Sequence, residues 1–180
     1  MRDVAIIGMG HTKFGKTEKT QIELFAEAAM QAMEDAGVDR KQIEALFMGS
    51  VLPMFEEGQG MTSAYSVSEL GLGSIPSTRF EGACASSTIA LRDAYMWVGS
   101  GQYDIVLAGG TERALIMGTP FATRTFAMGG HAATEGPAGL TFPGVFAMAA
   151  VLYSRFYDIP LEKLREKMAY VSIKNHKHGA

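Results

Sequence analysis

Among the 180 residues of this chain, Cys84 is the sole cysteine, and its setting is that of a nucleophile. The segment Phe80-Glu81-Gly82-Ala83-Cys84-Ala85-Ser86-Ser87-Thr88 runs from a strand pattern through small residues into an apolar helical pattern. The sulfur is therefore expected on a tight turn at a helix amino terminus, where free amides and the helix dipole favour thiolate over thiol. The small neighbours Gly82, Ala83, Ala85 and Ser86 leave room for a substrate carbonyl, as a nucleophile elbow does for serine. A lone cysteine also serves as a small buried hydrophobe, so position alone leaves both readings open.

The other candidates are weaker. Gly10-His11-Thr12-Lys13-Phe14-Gly15-Lys16-Thr17 fits the phosphate-loop pattern GxxxxGK[ST] after a strand-like run. A nucleotide hydrolase needs its helix to start at the lysine and an aspartate at the end of another buried strand for magnesium. The capping signals place the helix start at Thr20, and the strong strands end in Met48-Gly49-Ser50 and Ala108-Gly109-Gly110. Lys13 occupies the third-glycine position of a dinucleotide fingerprint beginning at Gly8, which removes that reading. His131 lies in the irregular stretch from Thr111 to Pro143, where it could face a site, and a surface-loop position is the commoner reading. His176 and His178 are two apart with no third ligand, a poor metal signal. Glu81 and Glu112 flank the two strand ends where a base could sit, and an ordinary surface or ion-pair role is the commoner reading.

The elements that position these residues follow from periodicity. Val4 to Gly8 is a short apolar run that predicts a buried parallel strand. Ile22, Phe25, Ala26, Ala29, Met33 and Ala36 recur at helical spacing, with Thr20 and Glu23 as a capping box and Gly37 as the stop. Further strands are expected at Ile43 to Leu52, Thr78 to Ala83 and Ile105 to Ala108, and helices at Ser63 to Leu70 and Ser86 to Val98. Such alternation predicts an α/β fold, a parallel sheet with helices on its faces. Thr111 to Pro143 has no clear period and is expected as a loop region over a site. Two helices close the chain, Val145 to Tyr157 and, after Pro160, Leu161 to Ile173.

Composition narrows the classes. Sixteen Lys and Arg against nineteen Asp and Glu, without a basic cluster, argue against nucleic acid and anionic membranes. Charged residues make up 19% of the chain, below the roughly 25% typical of soluble domains, which predicts a surface partly covered by another subunit. No stretch approaches the ~20 apolar residues of a membrane span, and the amino terminus lacks a signal-peptide core, so a cytoplasmic protein is expected. The twelve methionines read as packing or as lining for an acyl chain.

Gly82-Ala83-Cys84-Ala85-Ser86-Ser87, followed by Asp104-Ile105-Val106-Leu107-Ala108-Gly109-Gly110-Thr111-Glu112, resembles the amino-terminal half of the thiolase superfamily. Val4 to Gly15, Thr141-Phe142-Pro143-Gly144-Val145-Phe146-Ala147-Met148 and Lys174 to Ala180 are similar to archaeal and bacterial acetyl-CoA acetyltransferases related to sterol carrier protein 2 thiolase. The resemblance covers the whole chain. In that family the Thr-Lys-Phe-Gly turn has no phosphate role.

The resemblance implies a thiolase-like mixed α/β sheet with helices on both faces in residues 1–113, and part of the loop domain in residues 114–180. Cys84 would be the catalytic nucleophile, carrying the acyl group of a CoA thioester during Claisen condensation or thiolysis, with its backbone amide in an oxyanion hole. Phe142 and Pro143 would border the pantetheine tunnel as substrate-binding residues. No metal or redox cofactor is implied; coenzyme A thioesters, acyl-CoA and acetyl-CoA, are substrates. The family's catalytic histidines and its second, acid-base cysteine belong to the second half, and their motifs are absent here. The resemblance thus implies a fragment, one subunit of a split enzyme or a truncated product, with a second thiolase-half chain as partner. It implies a homo- or hetero-oligomer paired through the third strand, Thr78 to Ala83. Related archaeal enzymes add an OB-fold/zinc-ribbon acyl-CoA-associated protein and HMG-CoA synthase as partners. Ketoacyl synthases share the fold and the cysteine, which leaves the acceptor and acyl chain open. The alternatives are a non-catalytic assembly subunit of the same fold, told apart by acylation of Cys84, and a P-loop nucleotide-binding protein, which would lose nucleotide on Lys16→Ala.

Overall fold

Thr20 opens the first helix through a reciprocal cap. Its hydroxyl accepts the Glu23 N–H at 3.2 Å, and the Glu23 carboxylate accepts the Thr20 N–H at 2.7 Å. Gly37 closes the helix in the left-handed region at φ 63°, a conformation that glycine adopts without steric cost. The product is α1 (Gln21–Ala36), which buries Phe25, Ala26, Ala29 and Met33. The computed structural model describes residues 1–180. After α1 come β1 (Ala45–Gly49), α2 (Pro53–Glu56), α3 (Thr62–Leu70), β2 (Ser77–Phe80), α4 (Ser86–Ser100), β3 (Val106–Gly110), α5 (Gly118–Ala127), α6 (Phe142–Phe156) and α7 (Leu161–Gly179). They form two compact units, Met1–Gly118 and Thr119–Ala180.

The first unit is an α/β layer structure. Its strands are parallel in the order β2-β1-β3, with Leu46 opposite Ser77 on one side and Leu107 on the other. The central strand is apolar and buried along its whole length because helices cover both faces. Leu46 and Met48 pack with Phe25, Met33, Val67 and Leu70 of α1 and α3, while Ala45 and Phe47 pack with Ala90 and Ala94 of α4. Two-residue alternation along one strand thus divides the core into two clusters.

Val4 to Gly8 is not a strand. Residues 1–8 have no ladder partner, and Ile6 is 71% exposed. Glycines decide where this segment lies: any side chain on Gly8 or Gly10 would collide with the backbone at Ala32 or Ala28 of α1. The Met9 N–H donates to Asp35 Oδ2 at 2.9 Å, and the His11 N–H to Gln31 Oε1 at 3.2 Å. The apolar run is therefore laid along a helix, outside the sheet. The expected strand over Ile43 to Leu52 is confined to Ala45–Gly49, and that over Thr78 to Ala83 ends at Phe80. The second shortening frees residues 81–85 to make a turn.

The second unit is helical. The stretch expected as irregular holds α5, and α6 begins at Phe142 because the Thr141 hydroxyl accepts the Gly144 N–H at 3.2 Å and Pro143 suits a first turn. Phe142 meets Phe146 edge-on at 5.2 Å between ring centres. α7 extends past Ile173 to Gly179, since no breaker interrupts its Leu, Glu, Lys and Met residues until that glycine. Neither α6 nor α7 buries a residue; Phe146, Leu152 and Phe156 are exposed. No helix is long and apolar enough to cross a membrane.

Candidate active site

Cys84 sits where the sequence places it, between the carboxyl end of β2 and the first residue of α4. It occupies the middle of a single 3-10 turn, Ala83–Ala85, and is free and solvent-exposed. That exposure does not suit a small buried packing residue.

The turn is strained and tied down. Ala83 adopts φ 49°, a left-handed backbone that costs a residue with a β-carbon about 1–2 kcal/mol. Two side chains hold it. The Ser86 hydroxyl accepts the Gly82 N–H at 3.0 Å and donates to the Ala83 carbonyl at 2.7 Å, and Glu81 Oε1 accepts the Ala83 N–H at 2.7 Å. Ser86 is 4% exposed, so water does not compete for its bonds. Glu81 therefore has a local structural part, as a cap on the turn.

Glycines set the depth of the turn. A β-carbon on Gly49, at the carboxyl end of β1, would overlap the backbone of Ser86 and Ser87. One on Gly110, at the end of β3, would overlap the Ser87 hydroxyl. The first turn of α4 consequently rests directly on two strand ends. Three parallel strands, by ending at one edge, place the cysteine turn there.

A cluster of carboxylates braces the same edge, and Glu112 is its only member that the sequence reading singled out. The Glu112 carboxylate accepts the N–H groups of Val51 and Leu52, while Arg79 Nη1 donates to the Ser50 carbonyl at 2.8 Å. Arg113 pairs with Glu57 at 3.0 Å, donates to the Thr17 carbonyl at 2.9 Å, and gives its backbone N–H to Glu56 at 2.6 Å. Gln21, buried at the start of α1, donates its backbone N–H to Glu57 at 3.0 Å and its side-chain amide to Glu56. Burial pushes the Glu56 carboxyl up to about 7, against the stabilising Arg113 N–H and helped by the Glu112 charge. Partial burial likewise raises Glu112, although the residue keeps surface in water, because its carboxylate turns inward onto the β1 loop; the Val51 and Leu52 amides oppose the shift. No sequence signal joins Glu56 and Glu57, at the end of α2, to Glu112 and Arg113 after β3.

The remaining candidates lie elsewhere. Phe142 and Pro143 are in the second unit, exposed in the first turn of α6 rather than ahead of a helix that begins at Val145. His131 is an exposed loop residue whose ring meets Thr134 Oγ1 at 3.0 Å. His176 contacts the Ser172 carbonyl at 2.8 Å within α7. No group of three or more His, Cys, Asp or Glu residues is arranged to hold a metal. The phosphate-loop pattern at 10–17 lines a cavity of about 760 Å³ together with residues 110–116, but the next helix starts at Gln21, beyond Lys16. That spacing leaves Lys16 without the helix terminus a phosphate loop requires.

The first unit is thus of the α/β class, with the chain's one cysteine exposed on a strained turn at the carboxyl edge of a parallel sheet. The chain belongs to the thiolase family: residues 4–180 match the thiolase N-terminal domain. It is 41% identical over 91% of its length to an acetyl-CoA acetyltransferase of Methanocaldococcus jannaschii, covering 42% of that protein. To the acetyl-CoA acetyltransferase of Methanothermobacter thermautotrophicus it is 37% identical over its full length, covering 46% of the relative. A benzoylsuccinyl-CoA thiolase subunit of Thauera aromatica is 30% identical, with 44% of it covered. Among solved structures, 3-oxoacyl-[acyl-carrier-protein] synthase III of Aquifex aeolicus superposes on 56% of the chain with a TM-score of 0.51 at 20% identity, covering 32% of that protein; the likeness is one of fold. The chain spans somewhat under half the length of these curated relatives.

Proposed function

We propose that this chain is the nucleophile-bearing part of a thiolase-type acyltransferase. The observation that carries the reading is the exposed Cys84 on its tied turn, in a chain that belongs to the thiolase family. The Cys84 thiolate attacks the carbonyl carbon of a CoA thioester, a new carbon–sulfur bond forms, and the bond to coenzyme A breaks, the departing sulfur taking up a proton. The acyl group then passes to the carbanion of acetyl-CoA in condensation; in thiolysis the thiolate instead attacks the C3 ketone carbon of acetoacetyl-CoA, the C2–C3 bond breaks, the acetyl-CoA carbanion leaves with a proton, and the acetyl group passes from Cys84 to the thiol of coenzyme A. Support for acetyl-CoA as a substrate comes from the names of the archaeal relatives. Phe142 and Pro143, exposed at the start of α6, are proposed contacts for the pantetheine arm.

Both the acylation and the removal of a methyl proton need a base; His131 and the α7 histidines lie outside the unit that holds Cys84, and His11, within it, turns its ring onto the Thr12 carbonyl at 3.0 Å. The remaining catalytic groups are assigned to a second thiolase half, in another chain or in further sequence. Residues 114–180 are read as part of a loop domain, whose exposed apolar α6 suits cover by such a partner. Assaying acetoacetyl-CoA thiolysis tests the proposal: turnover is expected only when a second-half protein is added, and Cys84→Ser abolishes it. Turnover by Cys84→Ser would refute the assignment.

A further inference from the structure

We propose that Ser86 is a positioning residue for Cys84, an inference that rests on the nucleophile reading above. Gly82 and Ala83 are the two residues before the cysteine, and one buried hydroxyl binds both, accepting the Gly82 N–H at 3.0 Å and donating to the Ala83 carbonyl at 2.7 Å. The bonds fasten this left-handed step to the first residue of α4, so they close a loop around Cys84 and Ala85. Glu81 supplies a second tie to the Ala83 N–H, but it is exposed and water competes with it. The hydroxyl is satisfied as donor and acceptor within the turn. Ser86 therefore keeps Ala83 in a conformation it would otherwise leave, and fixes the backbone that carries the Cys84 side chain.

Coupling between Ser86 and Ala83 separates positioning from ordinary structural support. Glycine in place of Ala83 adopts the left-handed step without strain, so the turn in an Ala83→Gly variant needs the tie less. The full chain, its Ser86→Ala and Ala83→Gly variants and the double variant are alkylated with iodoacetamide at one near-neutral pH, and modification of the Cys84 peptide is timed by mass spectrometry. Ser86→Ala is expected to slow the reaction about tenfold, the rate equivalent of the strain at Ala83. In the Ala83→Gly background the same substitution is expected to slow it no more than about twofold. Circular dichroism at the assay temperature confirms that each variant is folded; an unfolded Ser86→Ala chain is replaced by Ser86→Thr, which keeps the hydroxyl but crowds the buried turn with a methyl group and is expected to slow Cys84 alkylation by an intermediate factor. Equal rates for Ser86→Ala and the parent, or equal losses in both backgrounds, overturn the positioning role. A parent Cys84 no faster than free cysteine would instead sink the nucleophile reading itself.

Discussion

Gly110 lies so close to Ser87 that a β-carbon on the glycine would overlap the serine hydroxyl. The end of β3 thus packs its backbone against the Ser87 side chain and the Gly49 carbonyl, while Gly49, at the end of β1, packs against the backbone of Ser86 and Ser87. Gly110→Ala is expected to lift the helix terminus, destabilising the chain by about 1–3 kcal/mol, the usual cost of overpacking, and slowing alkylation of Cys84. Gly60, which faces open space, serves as the control, and Gly60→Ala is expected to stay within about 0.5 kcal/mol. Urea titrations of both variants make the comparison.

Glu56 gives stability a pH dependence of definite sign. Its carboxyl is raised from 4.5 to about 7 in the folded chain, first by burial. Between those values the folded state holds a proton that the unfolded state has released, so the contribution is whole below about 4.5 and is lost as pH rises to about 7. Glu56→Gln is neutral at every pH and lacks this slope. Allowing for solvent screening of a partly exposed group, the variant should gain about 1 kcal/mol on the parent between pH 4.5 and pH 8, or roughly 2–4 °C in melting temperature. Melting curves at the two pH values measure it, and a parallel response of parent and variant would contradict the assignment.

Arg113 is the cation of the cluster. Its side chain is 15% exposed and that of Glu57 10%, so Arg113→Ala leaves a nearly buried carboxylate unpaired and also releases the Thr17 carbonyl. A loss of about 3 kcal/mol is expected, in the range for breaking a buried pair from one side. Arg113→Lys should recover only part of it, because one ammonium cannot reach both partners in the fork geometry. Urea midpoints of the two variants order these effects.

The parts of the fold written in local chemistry were legible. Thr20, Glu23 and Gly37 bound α1 as their types require, and the apolar Ala45-Leu46-Phe47-Met48-Gly49 is buried on both faces. Cys84 was legible because small residues between a strand pattern and a helix pattern leave few geometries open. Val4 to Gly8 was not, since a strand needs a ladder partner that its own residues do not specify; Gly8 and Gly10 decided its place by fitting against α1. α5 was hidden by Gly, Thr and Pro residues that carry little helical period, and α6 by a cap at Thr141 that starts the helix three residues before the periodic run. The Glu56, Glu57, Glu112 and Arg113 cluster joins positions far apart in the chain, which no spacing rule connects.

Acylation of Cys84 is the most direct test of the account. The chain is incubated with acetoacetyl-CoA and a second-half protein, quenched in acid and mapped by peptide mass spectrometry. An acetyl group on the peptide that holds Cys84, absent from Cys84→Ser and much reduced without the second half, is the predicted result. An acetyl group placed on any other residue, or a Cys84 left unmodified while the mixture turns over substrate, would contradict it.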